Sequence, residues 1–143
     1  MRRLLIINII FILISLITCK PSEKLTSPDH YILKKSLPER VKINEVAEFR
    51  VEIIPTDGYK MEEEAPIKLR FDRENQPHIE FEKELYTKED LLNKNIKRPT
   101  FVGKFTPKTS GNIQFKGELS FVVCTPSICE PKKTEIIFNL LVE

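Results

Sequence analysis

Apolar and polar residues alternate along several short stretches of this chain, and this alternation limits the possible folds more than any other feature of the sequence. The clearest stretch runs from Ile113 to Val123, where apolar residues and Gly117 share one register. Residues 46–54 and 66–71 have the same period of two, with charged residues at the intervening positions. Because successive side chains of a strand point to opposite faces, each stretch predicts a strand with one buried face.

Further stretches of this kind, separated by turn residues, bring the prediction to about seven short strands. We expect an edge strand near Tyr31–Leu33, short strands at 79–81 and 100–105, and a last strand from about Thr134. Residues 84–97 are charged and fit either a helical turn or a long loop. Each strand has one apolar face to bury, so we predict an all-β fold, an antiparallel β-sandwich of immunoglobulin type. The expected core residues are Val51, Leu69, Phe115, Leu119, Phe121, Phe138 and Leu140.

The N-terminal segment has a different character from the rest of the chain. Met1 to Arg3 is a short positive stretch, and residues 4–17 form an apolar run. This run has the length of the hydrophobic part of a signal peptide and is short for a membrane span. An uncleaved anchor helix with an incidental cysteine is the alternative. The sequence Leu16-Ile17-Thr18-Cys19 resembles the lipobox of bacterial lipoproteins, which implies cleavage before Cys19 and a diacylglyceryl group on its sulfur.

The lipobox resemblance divides the chain into a lipoprotein signal peptide at 1–18, a lipidated cysteine with a polar tether at 19–40, and a domain at 41–143. A lipid on Cys19 would attach this domain to a membrane of the cell envelope, on the periplasmic or outer surface. The chain has 23 basic and 21 acidic residues, and Arg2 and Arg3 supply the difference of two. The remaining charge is balanced, so we expect no nucleic-acid partner.

Two cysteines, Cys124 and Cys129, remain after the lipid cysteine. They follow the strongest strand signal and have Pro126 between them. Cysteines of an exported domain usually pair, because the compartment is oxidising, and strands that end and restart here would bring the two Cα atoms close enough. The enclosed loop is small, so cross-linking adds little stability. A weakly stabilising bridge at an exposed hairpin end favours a redox role.

Other kinds of chemistry have weaker support. A zinc site would need two more ligands, and His30 and His78 lack metal-ligand spacing, so each is interpreted as a surface residue. The chain has no haem-attachment motif, and we predict neither a cofactor nor a resident metal. The acidic run at 62–64 is most often a solvated face in proteins.

The cysteine segment resembles the N-terminal periplasmic domain of the thiol:disulfide interchange protein DsbD and its relatives. The resemblance rests first on Cys124-Thr-Pro-Ser-Ile-Cys129-Glu-Pro131. Residues 57–59, followed by residues 66–69, are similar to the family's Gly-Tyr stretch and the strand after it. Residues 81–88 look like the family's loop that folds over the cysteine pair. The resemblance covers about residues 40–143.

This resemblance implies an immunoglobulin-like sandwich that exchanges electrons with thioredoxin-like periplasmic proteins. Cys124 and Cys129 would be the redox pair, and Leu85 or Tyr86 of the cap loop would shield it, so that residues 81–92 should lie over or beside the cysteines. We expect the membrane electron carrier to be a separate protein. Two alternatives stay open: a non-catalytic β-sandwich envelope lipoprotein with a structural disulfide, serving as a binding or structural module, and a metal carrier that uses the two sulfurs.

Overall fold

The computed structural model of the protein describes residues 29–143. The predicted signal peptide, Cys19 and most of the predicted tether lie outside the described residues. Within the described part, no helix is both long enough and apolar enough to cross a membrane. The strands are β1 (Tyr31–Ser36), β2 (Arg40–Val41), β3 (Ala47–Pro55), β4 (Lys60–Met61), β5 (Lys68–Phe71), β6 (Ile79–Phe81), β7 (Leu85–Tyr86), β8 (Thr100–Pro107), β9 (Gly111–Cys124) and β10 (Cys129–Val142).

The strands form two sheets. One has the order β1-β3-β8-β6, and the other has the order β2-β10-β9-β5-β7 with β4 paired to β9. Every pairing is antiparallel except that of β10 with β2. The predicted immunoglobulin-like all-β sandwich is therefore confirmed. Seven strands have three or more residues, as predicted, and the other three have two residues each. These three, β2, β4 and β7, are too short to show a periodic pattern.

The core lies between the two sheets, on the apolar faces of the alternating strands. All seven residues that we predicted for the core are buried, with at most 4% of their surface exposed. The buried hydrophobic residues form one cluster, and all of them lie between Val41 and Val142. Both sheets that enclose this cluster also lie within residues 29–143. This part of the chain therefore contains one continuous hydrophobic core enclosed by two sheets, which is the arrangement expected of a domain that folds by itself.

The sequence of residues 84–97 fitted either a helical turn or a long loop, and the structure contains both. Leu85–Tyr86 forms a short strand against β5, with Tyr86 opposite Leu69. Two 3-10 turns follow at Lys88–Asp90 and Leu92–Lys94. Leu91, between these turns, is buried and makes an isolated bridge to Phe101. A helical turn and a loop therefore both occur, held to the sandwich by one buried leucine.

Strands β9 and β10 form a long hairpin, and here the structure differs from the prediction. The last strand begins at Cys129 and not near Thr134, and it pairs with β9 from the Cys129–Cys124 pair to the Val142–Gly111 pair. Residues 129–135 are exposed or half-buried on both faces, so they show no apolar alternation. Their pairing follows from the backbone ladder that the turn at 125–128 starts. The hairpin thus extends past the core and carries the cysteines at its tip.

Candidate functional site

A disulfide joins Cys124 and Cys129 at the tip of this hairpin, so the pairing expected from the sequence is present. The two residues are directly opposite each other in the ladder, with their Cα atoms 4.0 Å apart. The next pair toward the tip is hydrogen-bonded, because the Thr125 N–H donates to the Ile128 carbonyl at 2.8 Å. The cysteines therefore occupy a non-hydrogen-bonded position, where the side chains of opposite residues approach most closely.

The same alternation explains why a proline is tolerated two residues after the second cysteine. Pro131 is opposite Val122, which is again a non-hydrogen-bonded position. At such a position the backbone N–H would point away from the partner strand, so the missing N–H of proline costs no ladder bond. The Val122 carbonyl also points away from β10 and accepts a hydrogen bond from the Glu62 N–H at 3.0 Å. The Cys-Glu-Pro sequence thus suits this register.

The four-residue turn between the cysteines is held by one side chain. The hydroxyl oxygen of Thr125 accepts hydrogen bonds from the backbone N–H groups of Ser127 and Ile128, at 3.3 and 3.2 Å. Pro126 and Ser127 are exposed. The side chain of Ile128 is 55% exposed, which places an apolar group in solvent beside the disulfide.

The two sulfurs differ in their surroundings. Cys129 is exposed, whereas Cys124 is half-buried. The carboxylate of Glu62 lies against the half-buried cysteine, with its Oε2 atom 3.3 Å from the Cys124 sulfur. Reduction would give Cys124 an S–H group that can donate to this carboxylate, and a nearby negative charge raises the pKa of a thiol. The carboxylate is thus in contact with Cys124, and Cys129 is the more exposed of the two cysteines.

Strand β4 brings both Glu62 and a lysine to the disulfide. Lys60 is opposite Cys124 in the antiparallel pairing of β4 with β9. The Cβ atoms of opposite residues are about 5 Å apart. Lys60 and Glu62 are two positions apart, so the ammonium and the carboxylate both lie on the face of the sheet that carries the disulfide. The carboxylate makes the closer contact, because its oxygen reaches the sulfur itself. Glu62 belongs to the acidic run at 62–64 that we interpreted as a solvated face, and nothing in the local pattern marked it as a neighbour of the cysteines.

Hydrogen bonds to Glu130 hold the strand that carries Cys129. The Tyr59 hydroxyl donates to the Glu130 carboxylate at 2.6 Å, and the Lys132 ammonium donates to the other oxygen at 2.6 Å. The hydrogen bonds from Lys132 and Tyr59 lower the pKa of Glu130. The His30 ring stacks on the Tyr59 ring with their centroids 4.1 Å apart. Glu130, the residue after Cys129, is therefore hydrogen-bonded to the residue that precedes β4, and His30, which precedes β1, stacks on that residue.

The predicted cap residues lie elsewhere, which is a correction to the expected placement of residues 81–92. Tyr86 is opposite Leu69, which in turn is opposite Leu119, and Cys124 lies five residues further along β9. At about 3.3 Å per residue, this separation exceeds 15 Å. Burial raises the pKa of Tyr86 to about 12, and its ring packs on Phe49 inside the core. Core packing thus draws Leu85–Tyr86 into the sheet, away from the disulfide.

The far end of the same segment approaches the site indirectly. The Lys88 ammonium donates a hydrogen bond to the backbone carbonyl of Glu63, next to the residue that contacts Cys124. Lys83, at the start of the segment, pairs with Asp90 at 2.6 Å and so stays within it. Residues 87–90 therefore steady the turn after β4 without covering the sulfurs.

Among the described residues, Glu62, Cys124 and Cys129 also form a group with metal-binding potential. One ligand atom of each lies within 4.8 Å of the others. With the disulfide closed, neither sulfur is a thiolate, which is the form that binds metals. His30 and His78 do not belong to this group. Metal binding through these three groups would therefore require reduction of the disulfide.

Comparisons with known proteins give no family for this chain. No protein-family model matches it, and no curated protein matches it. Among solved structures, it is similar to AggA, the major subunit of aggregative adherence fimbriae type I from Escherichia coli (11% identity, 79% of this chain and 94% of that chain, TM-score 0.42). A cohesin module of a family 33 glycoside hydrolase from Clostridium perfringens has 12% identity, 79% and 98% coverage and a TM-score of 0.41. Murine CRIg has 11% identity, 78% and 98% coverage and a TM-score of 0.35. Likenesses this weak carry no argument about function.

Proposed function

We propose that this protein exchanges electrons with thioredoxin-like proteins of the cell envelope through the Cys124–Cys129 disulfide, as a lipoprotein held to a membrane by a lipid on Cys19. The observation that carries the proposal is the position of the disulfide at an exposed hairpin tip, outside the core and beside a carboxylate. The resemblance of the cysteine segment to the DsbD N-terminal domain family supports the same function. Such a protein would be a redox relay, working with a separate membrane electron carrier.

A purely structural role is a poor explanation for a bridge in this position. The disulfide joins residues that are separated by five positions and that the β9–β10 ladder already holds opposite each other. Closing so small a loop removes little entropy from the unfolded chain, about 2 kcal/mol at most. The cysteines themselves lie outside the core, since Val123 is the last buried residue of β9 before the tip. Exposure of Cys129 also makes its sulfur available for attack.

The exchange proceeds in two steps. A partner thiolate attacks the sulfur of Cys129, the bond between the two sulfurs breaks, and a mixed disulfide forms between Cys129 and the partner. Cys124 leaves as a thiolate and takes a proton. The second partner thiol, once deprotonated, attacks the partner's own sulfur in the mixed disulfide and releases Cys129. The partner dithiol is thereby oxidised to a disulfide, and this protein gains two electrons and two thiols. The reverse sequence passes the electrons on.

Glu62 gives each cysteine a distinct part in this exchange. In the reduced protein its carboxylate accepts a hydrogen bond from the Cys124 thiol, which keeps that sulfur protonated and a poor nucleophile. The Cys129 sulfur lies within 4.8 Å of the same carboxylate, but the 3.3 Å contact is made to Cys124, and Cys129 is the more exposed residue. We therefore assign Cys129 as the sulfur that forms the mixed disulfide, and Cys124 as the one that resolves it.

The test is the reduction potential of the disulfide, measured on residues 20–143 by equilibration in thiol buffers followed by trapping of free thiols. A potential well above about −300 mV, with rapid exchange against a thioredoxin-like protein, is the expected result. The assignment of the two sulfurs is tested with Cys124→Ser and Cys129→Ser. The first variant should accumulate a mixed disulfide with the partner and the second should not. A lower potential without exchange in the folded state would make the bridge structural and the protein a non-catalytic envelope lipoprotein.

A further inference from the structure

A groove with an apolar floor and a basic rim is lined by β4, the strand that pairs with the end of β9. Its volume is about 710 Å³. The floor includes Ile32, Ile54 and Ile96, each of them half-buried. The rim carries Lys34, Lys60, Lys97 and Arg98, and Glu63 is the acidic residue of the lining. We call this feature the basic groove.

The lysines of the groove are available to a ligand. Lys34, Lys60 and Lys97 are exposed, and none of the three has an ion-pair partner among residues 29–143. Arg98 differs, because its guanidinium pairs with Glu52 at 2.7 Å. By contrast, other surface lysines, such as Lys116 and Lys133, pair with Glu135 and Glu118 at 2.9 Å. Three unpaired positive charges around apolar side chains are complementary to a ligand that carries both carboxylates and apolar groups.

The groove also has a fixed position relative to the disulfide. Lys60 belongs to the rim and is opposite Cys124 on the neighbouring strand. Neighbouring strands are about 4.8 Å apart, so the backbone of Lys60 is one strand spacing from that of Cys124. Tyr59 also lines the groove and hydrogen-bonds Glu130, whose side chain lies on the opposite face of β10 from that of Cys129. The groove therefore reaches the strand next to Cys124, while its lining stops short of both cysteines.

We propose that the basic groove docks an extended acidic segment of the redox partner, in which carboxylates alternate with aliphatic side chains. This inference rests on the proposed thiol–disulfide exchange and adds the chemistry of the partner. The carboxylates pair with Lys34, Lys60 and Lys97, and the aliphatic side chains cover the isoleucine floor. Docking of this kind holds the partner's thiolate near Cys129 and selects acidic partners over neutral or basic ones.

Docking is tested by fluorescence anisotropy with oxidised residues 20–143 and a labelled peptide in which glutamate and leucine alternate. The variant Lys34→Gln/Lys60→Gln/Lys97→Gln should bind about tenfold more weakly, because three exposed ion pairs each contribute a factor of about two. A matched control, Lys42→Gln/Lys68→Gln/Lys104→Gln, has the same net charge but alters exposed lysines outside the groove. It should retain the affinity of the unaltered domain. A lysine–leucine peptide of the same length should not bind.

Three results would overturn the docking proposal: equal binding of the acidic and basic peptides, equal losses in the two lysine variants, or binding of phosphatidylglycerol vesicles but not of the acidic peptide. The last result would assign the groove to an anionic membrane surface. None of these measurements depends on reduction of the disulfide. Dithiothreitol, which has no charge, reports separately whether Cys124–Cys129 can be reduced. Failure of docking and failure of the exchange function are therefore distinguishable.

Discussion

The contact between Glu62 and Cys124 leads to a quantitative prediction about the reduced protein. The carboxylate oxygen lies 3.3 Å from the sulfur. At that distance two unit charges repel by about 1.3 kcal/mol even with the full screening of bulk water. The carboxylate should therefore raise the pKa of the Cys124 thiol, and about 1.4 kcal/mol of repulsion corresponds to a tenfold smaller thiolate population. The variant Glu62→Gln keeps the shape of the side chain and removes this charge.

The expected rate change follows from this shift. Removing a repulsion of this size increases the thiolate fraction about tenfold at pH 7, but each thiolate becomes about threefold less nucleophilic. Reduced Cys124 should therefore react with iodoacetamide about threefold faster in Glu62→Gln. The assay uses residues 20–143 with Cys129→Ser, in which Cys124 is the remaining cysteine. The rate is followed against pH, so that the pKa and the limiting rate are obtained separately.

The matched control is Glu63→Gln, which removes an equal charge from the next residue. Glu63 is exposed, and its backbone carbonyl, not its carboxylate, accepts the hydrogen bond from Lys88. Its removal should shift the pH profile by much less than removal of Glu62. Equal shifts in the two variants would show that general surface charge, and not the 3.3 Å contact, controls the thiol. A rise in the thiol pKa on Glu62→Gln would refute the electrostatic argument itself.

Three further predictions concern stability. Gly103→Ala would bring a Cβ atom within 2.3–2.6 Å of buried aromatic side chains, so overpacking should lower the free energy of unfolding by about 2 kcal/mol or more in thermal denaturation. Replacing both Cys124 and Cys129 by serine should cost about 2 kcal/mol in urea titrations and keep the fold, since the closed loop is short; a collapse of far-ultraviolet circular dichroism would contradict this. The hydrogen bond from Lys132 is the main cause of the lowered pKa of Glu130, so this carboxylate stabilises the fold at neutral pH and its contribution is lost as the pH falls through its folded pKa. Glu130→Gln should therefore flatten the decrease of the urea midpoint below about pH 4.

The alternation of apolar residues determined the strands and the core. Val51, Leu69 and Phe115 were assigned to the interior from their register alone, and all three are fully or almost fully buried. This succeeds because the two faces of a strand have fixed directions, so burial of one face leaves a period of two in the local sequence. The disulfide was also predictable, since its cysteines are separated by five positions and a tight turn brings them together.

Tertiary structure alone decided what surrounds the disulfide. Glu62 is 62 residues from Cys124 in the chain, and it reaches the sulfur because β4 pairs with the end of β9. The same pairing carries Lys60 to the disulfide and opens the basic groove beside it. Leu85–Tyr86, expected over the cysteines, instead pairs with β5, where the Tyr86 ring is buried against Phe49 in the core. Local periodicity records which face of a strand is buried, whereas the neighbours of each strand depend on how the whole sheet closes.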